Sequence, residues 1–508
     1  MNMKNTIIAA ILVIAATGCN KSWLDVNTNP NQPPSATSNF VFANAENTTA
    51  ANFVAQHETG AYFSAQWTQS NSYIMNQTIF AYLYTNTDFN YWDPNYDNLY
   101  DYQYVIVNAE KDGQKYLKGP ARVMKSFLYQ QLVDMYGSLP YSKALTGSSN
   151  LAPAFDDQKA VYEDLVKQLD TAITELKANA FSSAFASSDI IFRGNTTNWV
   201  RFANTLKLRI LIRQSRVAGR DAYITGEIGK IVAEGSGLLG AGQDVGINPG
   251  YLATAGKTNP YYDRWGYDAN GATRSLGRFP RPTKNLFDML KAADDTFRLK
   301  RIAYARGGEN GNNPGVSTAA ELSSNYVGTP YGVSSGFTAP STSSIGPALI
   351  VKGQFARNLI IMTAAEAQFL LAEAKERYPS IGFTGTSQSY YEQGVRESFR
   401  LVGATSAQAT ALLTSGKVDA DWAASPDKIK AIITQKWIAT TNYTGMEAWA
   451  EYRRTGYPAI PQSLQVPDPN ARPKRLLYPG TETGSNKANV DAQGTIDKMT
   501  SRLFWDVD

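Results

Sequence analysis

The sequence is almost without cysteine and histidine: its 508 residues include one of each, Cys19 and His57. A lone thiol excludes an internal disulfide and any metal site built on several cysteines. A lone histidine would have to carry a Ser-His couple or a multi-histidine zinc site by itself. Within "AQHETGAY" it reads more simply as a polar residue on a helix surface. Charge of one sign is lacking too. Lys and Arg number 48 against 44 Asp and Glu, and a net charge of +4 gives none of the concentrated basic surface that nucleic acid binding requires. The one basic cluster, Arg472, Lys474 and Arg475 in "NARPKRLLYP", is interrupted by prolines and reads as a solvated loop.

The unbroken apolar run near the start, Ile7 to Ala16, falls short of the roughly 20 residues a spanning helix needs. Preceded by Lys4 and followed by the small residues Ala16-Thr17-Gly18, it has the form of a secretory signal peptide. Cys19 comes directly after those small residues and matches a bacterial lipobox, with Ala16 where leucine is commoner. Its thiol would then be acylated and become the mature N-terminus, leaving no cysteine nucleophile. An ordinary secreted protein with an incidental cysteine is the plainer alternative. Several acyl chains on one residue would hold the protein on a membrane, where a single chain binds only marginally. We therefore expect a signal peptide over 1–18 and a lipidated tether over 19–36, where "DVNTNPNQPPS" favours turns and extended chain.

What the chain has in quantity is aromatic residues, 29 Tyr, 21 Phe and 9 Trp. Tyrosine in excess of phenylalanine favours surfaces where one side of the ring is apolar and the hydroxyl is wet. Asn39 to about Gln69 reads as one or two helices, and Ser70 to Asp93 as an aromatic, Asn- and Thr-rich loop. Helices resume over Pro94 to about Asp112 and Pro120 to Tyr136, the second ended by Gly137 and Pro140. In "DDQKAVYEDLVKQLDTAITELKA", Val161, Leu165, Leu169, Ile173 and Leu176 form one apolar stripe of helical period. Asp156 or Asp157 can cap its start, and "NWVRFANTLKLRILIRQSR" continues the pattern. Thr363 with Glu366, and Ser389 with Glu392, have the capping-box spacing and predict an α-hairpin. "SPDKIKAIITQKWIATT" adds a helix with a Ser-Pro start, and "GMEAWAEYRRTGYP" one stopped by Gly456 and Pro458. Helix pairs with Ala-rich faces resemble tetratricopeptide repeats, an irregular α-helical domain being the alternative. Residues from about 235 to 357 are instead loop-rich, with one helix near Thr283 to Ala293. So long a stretch without regular structure is usually functional or disordered, and the aromatics of "NPYYDRWGYD" argue against disorder.

The lipobox, "LDVNTNPN", "YGSLPYSKAL" followed by "FDDQKAVYEDLVKQLDTAI", the Glu447 to Pro458 motif "EAWAEYRRTGYP" and the terminal "RLFWD" together resemble the SusD/RagB family of nutrient-binding outer-membrane lipoproteins. The resemblance runs over nearly the whole chain. It implies a mostly α fold: one SusD-like domain over 37–508, a scaffold of four tetratricopeptide-like helix pairs, and a loop-rich, minor-β insertion at about 235–357 on one side. It also implies no catalysis. Such proteins capture oligo- or polysaccharide, in some members peptide, on their loops. They deliver it at the cell surface to a TonB-dependent SusC-like transporter, met by the scaffold side. Surface-export signals usually place several acidic residues soon after the cysteine, whereas "CNKSWLD" has only Asp25, so outer-leaflet exposure follows from the family and not from the signal. Glu447, Glu451, Arg453 and Arg454 could mimic a charged active site, and the resemblance reads them as structural ion pairing. No cofactor is expected, and no ligand spacing of the calcium-loop kind nominates a metal site.

A pyranose presents an apolar C–H face that suits an aromatic ring, and a rim of hydroxyls that suits Tyr, Asn, Asp and Arg. Two loop segments carry this mixture. The glycan-binding set expected from them is Trp67, Tyr73, Tyr84 and Trp92 from the first and Tyr261, Tyr262, Arg264, Trp265 and Tyr267 from the second, with Asn71, Asn76, Asp88 and Asp263 beside them. The plainer role of each ring is core packing, which is the reading for Trp199, Trp437, Trp449 and Trp505. A glycoside hydrolase would need two carboxylates roughly 5 to 9.5 Å apart, and no local motif supports that pair.

Overall fold

The computed structural model describes residues 36–307 and 319–507. The expected signal peptide, Cys19 and nearly all of the tether lie outside the described residues. Among the described residues, eleven helices have nine residues or more. Six of them, α1 (Ser38–Phe63), α2 (Trp92–Asn108), α3 (Lys118–Tyr136), α4 (Gln158–Ala178), α5 (Thr196–Arg213) and α6 (Asp221–Glu234), precede the loop-rich insertion. α7 (Lys284–Ala292) lies inside it. α8 (Ala364–Arg377), α9 (Ser387–Leu401), α10 (Lys428–Thr440) and α11 (Gly445–Thr455) follow. The fold is mostly α, and none of the described helices is long and apolar enough to cross a membrane.

Helix starts show which local signals decide. Asp157 caps α4, accepting from the amides of Lys159 and Ala160 at 3.0 Å each, while Asp156 binds the amides of Tyr141 and Ser142 instead. Thr363 caps α8 through the Glu366 amide at 3.0 Å. The Glu366 carboxylate, however, turns away to Arg209 and leaves the expected box unclosed. The box at α9 is built one turn earlier, by Thr386 with Ser389, so Ser389 is its third helical residue and not its cap. Nor does Ser-Pro start α10. Asp427 does so through the Lys430 amide at 2.9 Å, because the Ser425 hydroxyl is already engaged by the Asp421 carbonyl. α11 stops at Gly456, whose φ of 74° lies in the left-handed region that favours glycine.

α1 is the central strut, packed on α2 and α11, while α3 lies against α2 and α4, and α8 joins α9 and α10 to α5. Two glycines let α1 and α11 touch backbone to backbone. A Cβ on Gly60 would lie 2.2 Å from the Met446 nitrogen, and one on Gly445 would lie 2.3 Å from the His57 carbonyl. His57 is correspondingly not the surface residue its sequence context predicts. It is fully buried, and its Nδ1 accepts from the Gly445 amide at 2.9 Å, serving one of the donors left free at the start of α11. Burial lowers its pKa to about 3, so the ring is neutral.

Three two-stranded antiparallel ribbons tie the loops down: β1 (Trp67–Gln69) with β5 (Pro280–Pro282), β2 (Leu139–Pro140) with β3 (Phe155–Asp156), and β4 (Val245–Ile247) with β6 (Leu359–Met362). The first, in which Trp67 faces Pro282 and Gln69 faces Pro280, fastens the insertion to the end of α1.

Candidate functional site

Beyond the β1–β5 ribbon three loops meet, comprising residues 70–76, 263–279 and 331–341. Asn71 is their knot. Its amide donates to the Phe337 carbonyl at 2.8 Å, its Oδ1 accepts from the Phe337 amide at 2.9 Å, and its Nδ2 donates to the Val333 carbonyl at 2.7 Å. Ser70 binds the carbonyls of Arg278 and Phe279. Ser72 Oγ accepts from the Ala339 amide at 2.9 Å. The Tyr73 hydroxyl donates to the Ser275 carbonyl at 2.6 Å while its ring meets Phe279 edge-on at 5.4 Å. Short polar side chains and backbone groups thus lock the loops together, and apolar side chains are left facing outward. Ile74 is 95% exposed and Leu276 47%. Arg278 is exposed, and Tyr73 and Phe337 are half-buried. The result is a fixed, open surface of aliphatic groups, ring edges, amide and guanidinium.

The structure brings most of the expected glycan-binding aromatics together beneath this surface rather than on it. Trp67, Tyr84, Trp92, Tyr261, Tyr262, Trp265 and Tyr267 are all buried. Trp265 stacks on Tyr261 at 5.4 Å and meets Trp67 edge-on at 5.1 Å, and His57 closes the group at 4.9 Å from Trp67. Most of their polar tips are satisfied internally, the Trp265 Nε1 being buried without a partner. Trp67 Nε1 donates to Asn442 Oδ1 at 3.0 Å, Tyr261 to the Tyr443 carbonyl at 3.1 Å, and Tyr84 to the Arg475 carbonyl at 2.6 Å. Tyr262 accepts from the Gly353 amide, and Tyr267 packs on Tyr262 at 5.6 Å. Trp92 lies apart, wedged between Tyr136 and Tyr478.

The inference that abundant tyrosine means wet surface is corrected for the same reason, since backbone carbonyls take the place of water. Of the expected set, Tyr73 and Arg264 reach the surface. Arg264 pairs with Glu58 at 2.9 Å and lies over the Trp265 ring at 5.7 Å. Asn76 and Asp88 serve local amides, and Asp263 pairs with Arg274. Ile74 and Leu276 were missed because aliphatic residues in loops carry no sugar-binding signal of their own, and Phe337 because it lies outside the two aromatic segments that carry the mixture.

The charged residues of α11 belong to a closed cluster. Asp134, Glu366, Glu373, Glu447 and Glu451 meet Arg209, Arg213, Lys436, Arg453 and Arg454, all buried. Arg454 grips Glu373 with both nitrogens, at 2.6 and 2.7 Å, Lys436 reaches Glu447 at 2.9 Å, and Arg213 bridges Glu447 and Glu451. Burial alone would raise Glu373, but Arg454 and Arg377 outweigh it and hold it at about 2. Arg453, sandwiched between Trp449 at 3.7 Å and Trp505 at 4.9 Å, is lowered by burial to about 10. Trp199 and Trp437 are likewise buried. Arg475 is buried as well, against the sequence expectation of a solvated basic loop, because its guanidinium is taken up by the Tyr136 carbonyl. Most of these charges are paired with one another, while Arg453 donates to the backbone carbonyls of Asp134 and Lys474.

A family model described as starch-binding and associating with the outer membrane, of the SusD-like type, matches residues 30–479. Among solved structures, a chitin-binding SusD homolog from Flavobacterium johnsoniae is similar at 25% identity and a TM-score of 0.70, covering 92% of this chain and 98% of its own. A SusD homolog from Bacteroides uniformis has 24% identity and a TM-score of 0.73, over 92% of this chain and 100% of its own. One from Bacteroides fragilis has 20% identity and a TM-score of 0.74, over 92% and 100%. Comparison with curated proteins gives no match.

Proposed function

The chain belongs to the SusD-like family of starch-binding proteins that associate with the outer membrane, and from that premise we propose that it captures a glycan on the face built by loops 70–76, 263–279 and 331–341 and delivers it to a TonB-dependent SusC-like transporter. The observation that carries the reading is that this face is both open and rigidly knotted. Preorganisation of this kind lowers the ordering cost of binding a flexible chain. Tyr73, Phe337, Ile74 and Leu276 supply apolar contact for pyranose C–H faces, and Arg278 and Arg264 supply hydrogen bonding at the rim. Trp265, Trp67, Tyr261, Tyr262 and Tyr267 act from below, as the brace that holds the loops. Tyr84 and Trp92 brace the neighbouring helix ends.

One similar structure is described as chitin-binding, which makes acetylated aminosugar polymers the first class to try. An acetamido methyl is the kind of group that Ile74 and Leu276 would cover. Cys19 is the proposed lipid anchor, residues 37–508 the proposed single domain, and the outer membrane, at the cell surface, the proposed location. The role is binding and not catalysis.

Native affinity electrophoresis of the protein lacking residues 1–19, against soluble chitin derivatives, starch and a panel of plant and host polysaccharides, tests the reading. Retardation by one polymer, lost in Tyr73→Ala/Arg278→Ala, is expected. Retardation unchanged by that pair would move the site elsewhere, no retardation by any polymer would favour a peptide ligand, and release of reducing sugar would count against a pure binder.

A further inference from the structure

A second cavity, of about 490 Å³, opens on the helical scaffold. That is within the range of about 300 to 1,000 Å³ usual for small-molecule sites, and the cavity shares no lining residue with the loop face. α2 contributes Gln103, α3 contributes Lys125, α4 contributes Asp164 and Gln168, and the loop from β2 to β3 contributes Ser142 and Thr146. The wall is therefore amide, hydroxyl and charge, with Leu145 held beside it at a φ of 61°.

The charges in this wall are not equally free. Asp164 accepts from the Tyr141 hydroxyl at 2.6 Å and from Gln168 Nε2 at 3.1 Å. Asp156, at the rim, accepts the amides of Tyr141 and Ser142 and the Ser142 hydroxyl. Arg122, one turn from Lys125, is drawn aside by Glu175 at 3.0 Å and Gln168 at 2.6 Å. Lys125 alone lacks an acid. Its Nζ donates to the neutral Gln103 Oε1 at 2.7 Å, and it enters none of the ion pairs formed among the described residues. Burial, with the repulsion of Arg122, lowers its pKa to about 8, Asp164 opposing. A half-buried ammonium without a paired acid is stabilised by an anion brought to it.

We propose that this cavity is a second saccharide site, selective for a ring bearing a carboxylate, in which the carboxylate pairs with Lys125 and the ring hydroxyls meet Gln103, Gln168, Ser142 and Thr146. The amide and hydroxyl lining is what separates a hexuronate from a plain carboxylate, and Lys125 is what separates it from a neutral hexose.

Ligand-observed NMR titration of the whole mature chain with glucuronate, glucose and acetate tests the assignment. Glucuronate should bind at least about tenfold more tightly than either of the others, the discrimination expected of one charge-assisted contact. Lys125→Met should remove that preference while leaving polymer retardation at the loop face intact. Above pH 8 the wild-type affinity for glucuronate should fall toward that for glucose as Lys125 loses its proton. Lys125→Arg, charged throughout, should hold its affinity at pH 9.5, a result that a purely structural lysine would not produce. The groups that also face Lys125, namely Arg122, Asp156, Asp164, Tyr129 and Tyr141, are unchanged in that variant. Equal binding of glucose and glucuronate, acetate as good as glucuronate, no binding at millimolar ligand, or a Lys125→Met protein that keeps the preference would each overturn the proposal.

Discussion

The charged cluster between α5, α8, α10 and α11 and the loop face around Tyr73 differ in what their polar atoms are turned toward. In the cluster, side-chain charge meets side-chain charge, as Arg454 meets Glu373 and Lys436 meets Glu447, and the charged groups are buried. On the loop face, short polar side chains, those of Asn71, Ser70 and Ser72, bind backbone groups of the neighbouring loops, and Ile74 and Leu276 are left facing outward. Density of charged residues therefore marks a buried part of this molecule, and the sparse, aliphatic loops mark an exposed one. The lesson is physical. Buried ions need partners in fixed places and so fix helices, whereas a weak, extended ligand needs area and preorganisation more than charge.

That contrast is broken most sharply from the charged side. Arg454→Met leaves Glu373 with Arg377 alone and Glu451 with Arg213 and Lys436, and removal of one partner from such a buried cluster costs about 3–5 kcal/mol. The expected outcome in urea unfolding is a large drop in midpoint, with glycan retardation per folded molecule unchanged. A variant that stayed stable but lost binding would place the ligand at the cluster.

The next effect is a pH dependence centred on His57, whose folded pKa of about 3 lies well below its ordinary 6.5. Because the unfolded chain takes up a proton below pH 6.5 and the folded one does not, stability falls with pH. Between pH 6.5 and 5 the loss is about 2 kcal/mol. Glu46, Glu366 and Asp134, raised by burial, push the opposite way. The His57 part is therefore read as the difference between wild type and His57→Gln, which should shrink as the pH falls. A difference independent of pH would mean a solvated ring.

Smaller again is Tyr84→Phe. Loss of its hydroxyl strands the Arg475 carbonyl and costs about 1–1.5 kcal/mol. If Tyr84 is a brace, Tm falls and affinity does not. If it is a platform, the reverse is seen.

Tyr84 also shows where sequence reading stops. The stripe of α4 is legible because its residues are neighbours within one helix, and the Asp157 and Thr363 caps because they act over three residues. The burial of Trp92 against Tyr478, of Tyr84 against Arg475 and of Trp67 against Asn442 depends on partners hundreds of residues away, so no local pattern reports it. Loop aromatics looked available because their partners were out of sight, and His57 looked solvated because Gly445, which lets α11 approach, is equally distant. Family resemblance recovered the fold. It did not recover which side chains the loops release.

The smallest stability effect carries the most functional weight. Ile74→Ser with Leu276→Ser alters two side chains that are 95% and 47% exposed. Surface changes of this kind shift stability by about 0.5 kcal/mol or less, so thermal unfolding should scarcely move. Polymer retardation should nonetheless fall several-fold, since the pair removes the aliphatic contact while Asn71 keeps the loops knotted. The paired control, Ile74→Leu with Leu276→Ile, keeps the apolar area and should keep the retardation. If the serine pair bound as wild type does, the face would act through its polar rim alone, and Arg278 and Tyr73 would carry the binding without the aliphatic floor.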